Sequence, residues 1–269
     1  MTDLYSGNYP IESRAGEIER LLVQSAAMAP DTLTMLNLIG VRAGWFCLDV
    51  GCGPGGISRT LSQLVGPNGR VVGLDMNSDF LEHARVDSPG NVEFRHGDAY
   101  KTDLPPGSFD LVHMRFVAST AGDPERLLQE AIRLARPGGT IALQEPDGTS
   151  LNCYPAHPAW ERLKAALLGA FSGVGADLRL ARRLYALARQ AGLDDVQYRP
   201  FLIGVRSMDP MVDYLPSTVE SLRSTVTRLG LLSEAEFPEV LAECRKHLQQ
   251  PDTVFTMYTV AQVWGRRAT

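Results

Sequence analysis

Leu48-Asp49-Val50-Gly51-Cys52-Gly53-Pro54-Gly55-Gly56 decides the fold. An apolar run, Phe46 to Val50, stops abruptly at these glycines. Ile57, Leu61, Leu64 and Val65 then recur at helical spacing. A short apolar run bounded in this way reads as a buried strand. Glycines at such a junction permit a tight strand-to-helix turn and let a ligand lie against bare backbone. Exposed amides at the helix start favour negative ligand groups. Gly51, Gly53 and Gly56 also fit the dinucleotide fingerprint G-x-G-x-x-G. On spacing alone, a tight turn with no ligand explains them too.

The pattern repeats downstream. Residues 71–74 read as a second strand, followed by a helix that Asn77 and Ser78 can cap. Residues 92–95 and 111–114 read as a third and a fourth strand. Asp123-Pro124-Glu125 is a strong helix start: a capping side chain, a proline at the first helical position and an acid at the positive end of the dipole. Pro137-Gly138-Gly139 reads as a turn, with a fifth strand over 140–144. Strands alternating with helices predict an α/β fold, a mostly parallel sheet with helices on both faces. Upstream, residues 14–28 predict one helix and 30–38 a second. Beyond residue 148 the reading is helical over 148–192 and 208–249, with strands at 196–205 and 254–264. Ser233 and Glu236 match a capping box. These segments predict one domain over 1–269: a lid (1–40), a cofactor core (41–147), helical cap insertions (148–195 and 208–251) and terminal strands (196–207 and 252–269).

Composition narrows the class. The 269 residues are 44% hydrophobic, too apolar for disorder, and the net charge of −5 disfavours a duplex nucleic-acid binder. No apolar run reaches the roughly 20 residues of a membrane helix. Cys47, Cys52, Cys153 and Cys244 are widely spaced, which fits free thiols in a reducing compartment better than a disulfide framework or a metal site. With no secretory-signal pattern at the N-terminus, this predicts a cytoplasmic protein.

Three acidic residues sharpen the glycine motif. Asp49 precedes it, Asp75 ends the second strand, and Asp98, in His96-Gly97-Asp98-Ala99, follows the third. Open α/β sheets bind ligands at the carboxyl ends of their strands, where a carboxylate can accept from ribose hydroxyls or an adenine amino group.

From LDVGCGPGG, VVGLD, HGD, FDLVHMRFV and RPGGTIALQEPD, in this order, the chain resembles a class I S-adenosylmethionine-dependent methyltransferase over about 46–147. The resemblance implies a Rossmann-like seven-stranded sheet with an antiparallel last strand. It implies that Gly51 and Gly53 face the methionine part of the cofactor, that Asp75 binds ribose, that Met76 packs on adenine, and that Asp98 and Ala99 read the adenine edge. The product cofactor would be S-adenosylhomocysteine. Glu17, Arg20, Leu21 and Gln24, with Arg115 and Glu145-Pro146-Asp147, resemble a branch acting on small molecules. There an N-terminal helix closes over the cofactor. Arg20, Gln24 and Arg115 are then expected near the methionine carboxylate or as braces, with Tyr9 covering the cofactor. Two features depart from relatives: Ser119-Thr120 stands where many carry His-His, and the D/N-P-P-Y/F tetrapeptide of base- and glutamine-directed enzymes is missing.

Methyl transfer is an in-line displacement whose leaving group departs neutral, so alignment and exclusion of water dominate. A base helps only where the acceptor must lose a proton. His157, Glu145 and Tyr154 are the candidates, and each also has a structural reading: a helix lead-in, a brace of the N-terminal helix and a cap core residue. His113 reads as packing. Tyr154 and Met208 are candidates for lining an apolar pocket in the cap. The expected partner is a small, partly apolar molecule, with no nucleic acid, membrane or metal; a homodimer is compatible with the sequence. The main alternative is a non-methylating cyclase or rearrangement enzyme on the same fold, and a nicotinamide dehydrogenase ranks third.

Overall fold

The computed structural model describes residues 16–269. Helix α1 (Glu17–Ile39) leads into strand β1 (Phe46–Val50), α2 (Gly56–Val65), β2 (Arg70–Asp75), α3 (Ser78–Arg85), β3 (Val92–His96) and β4 (Phe109–Arg115). A single turn, α4 (Ala118–Ala121), precedes α5 (Pro124–Leu134) and β5 (Ala135–Asp147). The second half comprises β6 (Asn152–Tyr154), α6 (Pro158–Gly173), α7 (Ala181–Gln190), β7 (Asp194–Phe201), β8 (Gly204–Arg206), α8 (Tyr214–Glu220), α9 (Arg223–Arg228), α10 (Glu236–Leu248), β9 (Val254–Thr256) and β10 (Thr259–Arg266). Seven strands form the main sheet in the order β3-β2-β1-β4-β5-β10-β7. Only β10 runs against its neighbours. This is the predicted Rossmann-like architecture.

The predicted caps form. The Asn77 side chain accepts from the amides of Asp79 and Phe80, Asp123 accepts from Arg126, and Ser233 and Glu236 bond reciprocally. Apolar clusters lie on both faces of the sheet. One joins Met35 and Leu36 of α1 and Leu61 of α2 to Cys47, Leu111 and Ala142. The other joins α5 and α7 to Leu48, Val112 and Leu143. A third core, around Trp160, Phe237 and Phe255, lies among α6, α8, α10 and a small antiparallel sheet, β6-β9-β8.

Four expectations change. Residues 17–39 are one helix, because Glu17, Gln24, Met28, Thr32, Met35 and Leu36 share one buried face that carries the chain through Pro30. Pro137-Gly138-Gly139 is a bulged strand start and not a free turn: Gly138 takes φ +70°, and the pairing with β4 shifts register there. The two long terminal strands are each split, since β8 and β9 leave the main sheet to pair with each other. Helix α7 packs on β5, β7 and β10, so the cap consists of α6, α8, α9, α10 and the small sheet.

Pro30 has no N–H to give to the carbonyl one turn back, and a proline inside a helix costs roughly 3 kcal/mol. Pro30→Ala is expected to raise unfolding stability by about 1–3 kcal/mol in chemical denaturation, less than the full figure because the unfolded chain regains freedom. An unchanged midpoint would show that α1 accommodates the ring without loss.

Candidate functional site

A cavity of about 770 Å³ opens at the carboxyl ends of β1, β2, β3 and β4, between the sheet and α1, α6 and α8. Its floor is the glycine turn. Gly51 takes φ +65°, and a Cβ there would stand 2.4 Å from the Val117 side chain, so only glycine lets the turn pass the loop after β4. Asp75 ties this turn to α3: its carboxylate accepts from the amides of Gly53 (2.8 Å) and Asn77 (2.9 Å). Burial raises its pKa above the usual carboxylate value, and those two amides oppose the rise. Met76 lines the cavity although 57% exposed, and Asp98 and Ala99 line it beyond β3. The Cys52 thiol also lines it, but burial pushes its pKa up, which leaves it unreactive.

Arg115 enters from the end of β4. It donates to Ser25 Oγ (3.1 Å) and Thr32 Oγ1 (3.4 Å) on α1, and it forms no ion pair among the described residues. Burial lowers its pKa, the direction expected for a cation held away from water. A buried guanidinium without a counter-ion is a place for an anionic ligand group.

Beneath the turn runs a row of buried polar side chains. Asp49 accepts from Ser58 Oγ (2.7 Å) and contacts His113 Nδ1 (2.9 Å). Gln144 Nε2 meets His113 Nε2 at 2.9 Å. An imidazole protonated on Nδ1 satisfies both contacts, donating to Asp49 and accepting from Gln144. Gln262 Nε2 donates to Gln144 Oε1 (2.8 Å), Arg199 donates to Gln262 Oε1 (2.8 Å), and Arg199 pairs with Asp31 on α1 (2.6 Å).

The far half of the cavity is apolar and aromatic. Phe116, Leu167, Phe171 and Leu178 line it with Arg20, Gln24, Tyr214 and Tyr258. Arg20 pairs with Glu17 (2.7 Å) and lies over the Tyr214 ring.

Thus Arg20, Gln24, Asp49, Gly51, Gly53, Asp75, Met76, Asp98, Ala99 and Arg115 all converge on one cavity. Tyr9 lies outside the described residues. Gln24 faces the two phenols of Tyr214 and Tyr258. Three proposed bases do not reach the cavity wall. His157 instead caps α6, accepting from the Ala159 amide at 3.2 Å, and stacks on His247. Tyr154 is exposed and bonds Asn152. Glu145 is fully buried and accepts from the amides of Ala118 (2.9 Å) and Ser119 (3.1 Å), not from Arg20. It therefore shapes the loop after β4 from behind. Met208, also expected in a pocket, is 90% exposed.

A protein-family model described as a methyltransferase domain matches residues 43–191, more than half of the chain. The chain belongs to the methyltransferase-domain family. Its fold is that of class I S-adenosylmethionine-dependent methyltransferases. It is 37% identical over 115 residues to the ubiquinone/menaquinone biosynthesis C-methyltransferase UbiE of Pseudomonas fluorescens, covering 41% of this chain and 45% of that one. It is 28% identical over 190 residues to the demethylmenaquinone methyltransferase of Geobacillus kaustophilus, covering 65% and 81%. The chain spans less than half the length of several curated relatives it matches. A putative methyltransferase from Bacillus halodurans shares the fold with a TM-score of 0.60 at 18% identity, over 89% of this chain and all of that one.

Sequence reasoning missed Phe116 and Tyr258 as cavity residues. Phe116 takes φ +60°, which no local sequence signal announces. Tyr258 falls inside what reads as one continuous strand.

Glu145 yields a pH prediction. Burial raises its pKa to about 7, against the pull of the loop amides. A carboxyl with a raised folded pKa binds more protons folded than unfolded, so its contribution is present below the unfolded value near 4.5 and is lost as pH rises through about 7. The stability of the wild type relative to Glu145→Gln is expected to fall between those values, by an amount on the order of 1–3 kcal/mol. Parallel denaturation curves at every pH would remove Glu145 as the source.

Proposed function

We propose that this chain transfers a methyl group from S-adenosylmethionine to a small, partly apolar acceptor. One observation carries the reading: the turn around Gly51 and Gly53 lies between a carboxylate, Asp75, and the uncompensated guanidinium of Arg115. That charge pattern matches a ligand with a ribose diol at one end and a carboxylate at the other. Asp75 keeps lone pairs for the diol, Arg115 suits the carboxylate, and the exposed side chain of Met76 offers an apolar face for the adenine. The expected roles of Asp98 and Ala99 at the adenine edge fit their place beyond β3.

When bound, the cofactor supplies an electrophilic methyl on a sulfonium. The chain supplies alignment. Gly51 brings bare backbone to the ligand, and Phe116, Phe171, Leu167 and Leu178 keep water from the acceptor side. With Glu145 behind the loop and His157 in a helix cap, no carboxylate or imidazole among the described residues lines that side. The acceptor is then one that arrives with its attacking electron pair available, without a strong base to remove a proton. The charge balance and this narrow compartment favour a small molecule.

Calorimetry and product analysis test the reading. S-adenosylmethionine and S-adenosylhomocysteine are expected to bind, and NAD is not. Asp75→Ala and Arg115→Met are each expected to weaken binding by about tenfold or more, since a charge-assisted bond contributes roughly 1.5–3 kcal/mol. Binding of NAD alone would sink the reading. Turnover of an acceptor from a metabolite extract without release of S-adenosylhomocysteine would favour the non-methylating alternative.

A further inference from the structure

Besides the buried Ser119 hydroxyl, which has no partner among the described residues, the cavity carries a polar group that its apolar walls do not explain. Tyr214, on α8, and Tyr258, in the link between β9 and β10, place their hydroxyls 2.7 Å apart. Gln24 Nε2 donates to both, at 3.2 and 3.0 Å. A proton count decides what this group can do. The amide nitrogen has two hydrogens, one for each phenol oxygen. Between the phenols, one O–H donates to the other. The second O–H has no acceptor among the described residues. Burial holds the Tyr258 phenol well above its ordinary pKa, so it stays protonated as a donor. Thr120 and Thr218, on the same wall, are already spent on the carbonyls of Phe116, Val117 and Tyr214. Around the pair, Phe116 and Tyr214 each stand edge-on to Tyr258, with centroids 5.6 and 6.0 Å away, and Phe171 closes the compartment.

We infer that the spare phenol O–H receives an oxygen of the methyl acceptor, so that the compartment selects an apolar, ring-bearing molecule presenting a carbonyl or oxyanion oxygen to Tyr214 and Tyr258. This rests on the methyltransferase reading, which assigns the rest of the cavity to the cofactor. Selection follows from what a wrong ligand leaves behind. An apolar molecule without the oxygen buries an unpaired O–H, whereas the right one satisfies it. A neutral ketone and the oxyanion of an acidic phenol or enol share this chemistry.

The test uses the full chain saturated with S-adenosylhomocysteine, whose own binding is measured first; if it does not bind, the methyltransferase reading fails and not this one. Titration then compares 2-acetylnaphthalene with 2-isopropenylnaphthalene, an isostere lacking the oxygen. The wild type is expected to prefer the ketone by about threefold to tenfold, the range of one neutral hydrogen bond. In the double variant Tyr214→Phe, Tyr258→Phe the ratio is expected to fall to about one, with affinity for S-adenosylhomocysteine retained as the check on folding. Both phenols are changed because either one alone would keep a spare O–H. 4-Nitrophenol separates the two oxygen sources. In slightly acidic buffer, where the free probe is colourless, a coloured bound form marks an oxyanion site, and a colourless one alongside ketone preference marks a carbonyl site. Equal affinity of the wild type for ketone and isostere, or no binding of the ketone, with no coloured complex, overturns the inference whatever the double variant does.

Discussion

The buried row from Asp49 through His113, Gln144 and Gln262 to Arg199 is the constraint on which the rest of the architecture depends. Its members lie on one face of five neighbouring strands. Asp49 is registered with His113, Gln262 with Gln144 and with Arg199. Two residues nearer the other edge of the same face stand Cys47, Leu111, Ala142 and Trp264. The face is thus apolar where α1 ends and polar where the cavity begins. His113, Gln144 and Gln262 have no exposed surface. Each unpaired buried group would cost about 1–3 kcal/mol, so every contact in the row must form together. A one-residue slip in any strand would turn its member to the opposite, apolar face. The row therefore fixes register across the sheet, and register places Asp49 under the glycine turn.

The same row fixes the roof. Thr32 donates to Gln144, Gln262 donates to the Asp31 carbonyl, and Asp31 pairs with Arg199. These bonds hold the middle of α1 to the sheet. The half of the helix before Pro30 then carries Arg20, Leu21, Gln24 and Ser25 over the cavity. Arg115 depends on this arrangement, because its hydrogen-bond partners among the described residues are hydroxyls of α1. Among the described residues that guanidinium is held by two hydroxyls and paired with no carboxylate, which leaves it open to an anionic ligand group. Replacing either hydroxyl with an acid would neutralise the site before a ligand reached it.

The half of the cavity around the glycine turn, proposed to hold the cofactor, was legible because its signals are local. A glycine turn after a strand, and acids at strand ends, report backbone geometry within a few residues, and the topology then gathers them at one edge. The aromatic half, proposed to hold the acceptor, was not legible, because its residues come from α1, the loop after β4, α6, α8 and the link before β10. Tyr258 shows why. Met257 and Tyr258 are consecutive and both buried, a break in strand alternation caused by the chain leaving one sheet for another. The run still reads as continuous from its β-prone composition. His157 misled for the opposite reason: its position beyond the fifth strand suits a base, but Pro158 makes it a helix cap. A subtler signal was available. Gln144 and Gln262 each interrupt an otherwise apolar strand, and a buried glutamine needs partners.

Glu145 connects the two halves. Its neighbour Gln144 points to the polar row, while Glu145, on the other face of β5, holds the amides of Ala118 and Ser119. Alternation along one strand therefore braces the Asp49 side and the Phe116 loop at once. The loop carries Val117 against Gly51 and Phe116 against Tyr258, one contact at the glycine turn and one in the aromatic half of the cavity. Movement of this loop would change both compartments together. The carboxyl of Glu145, spent on the Ala118 and Ser119 amides, is thus better suited to positioning this loop than to accepting a proton from a ligand.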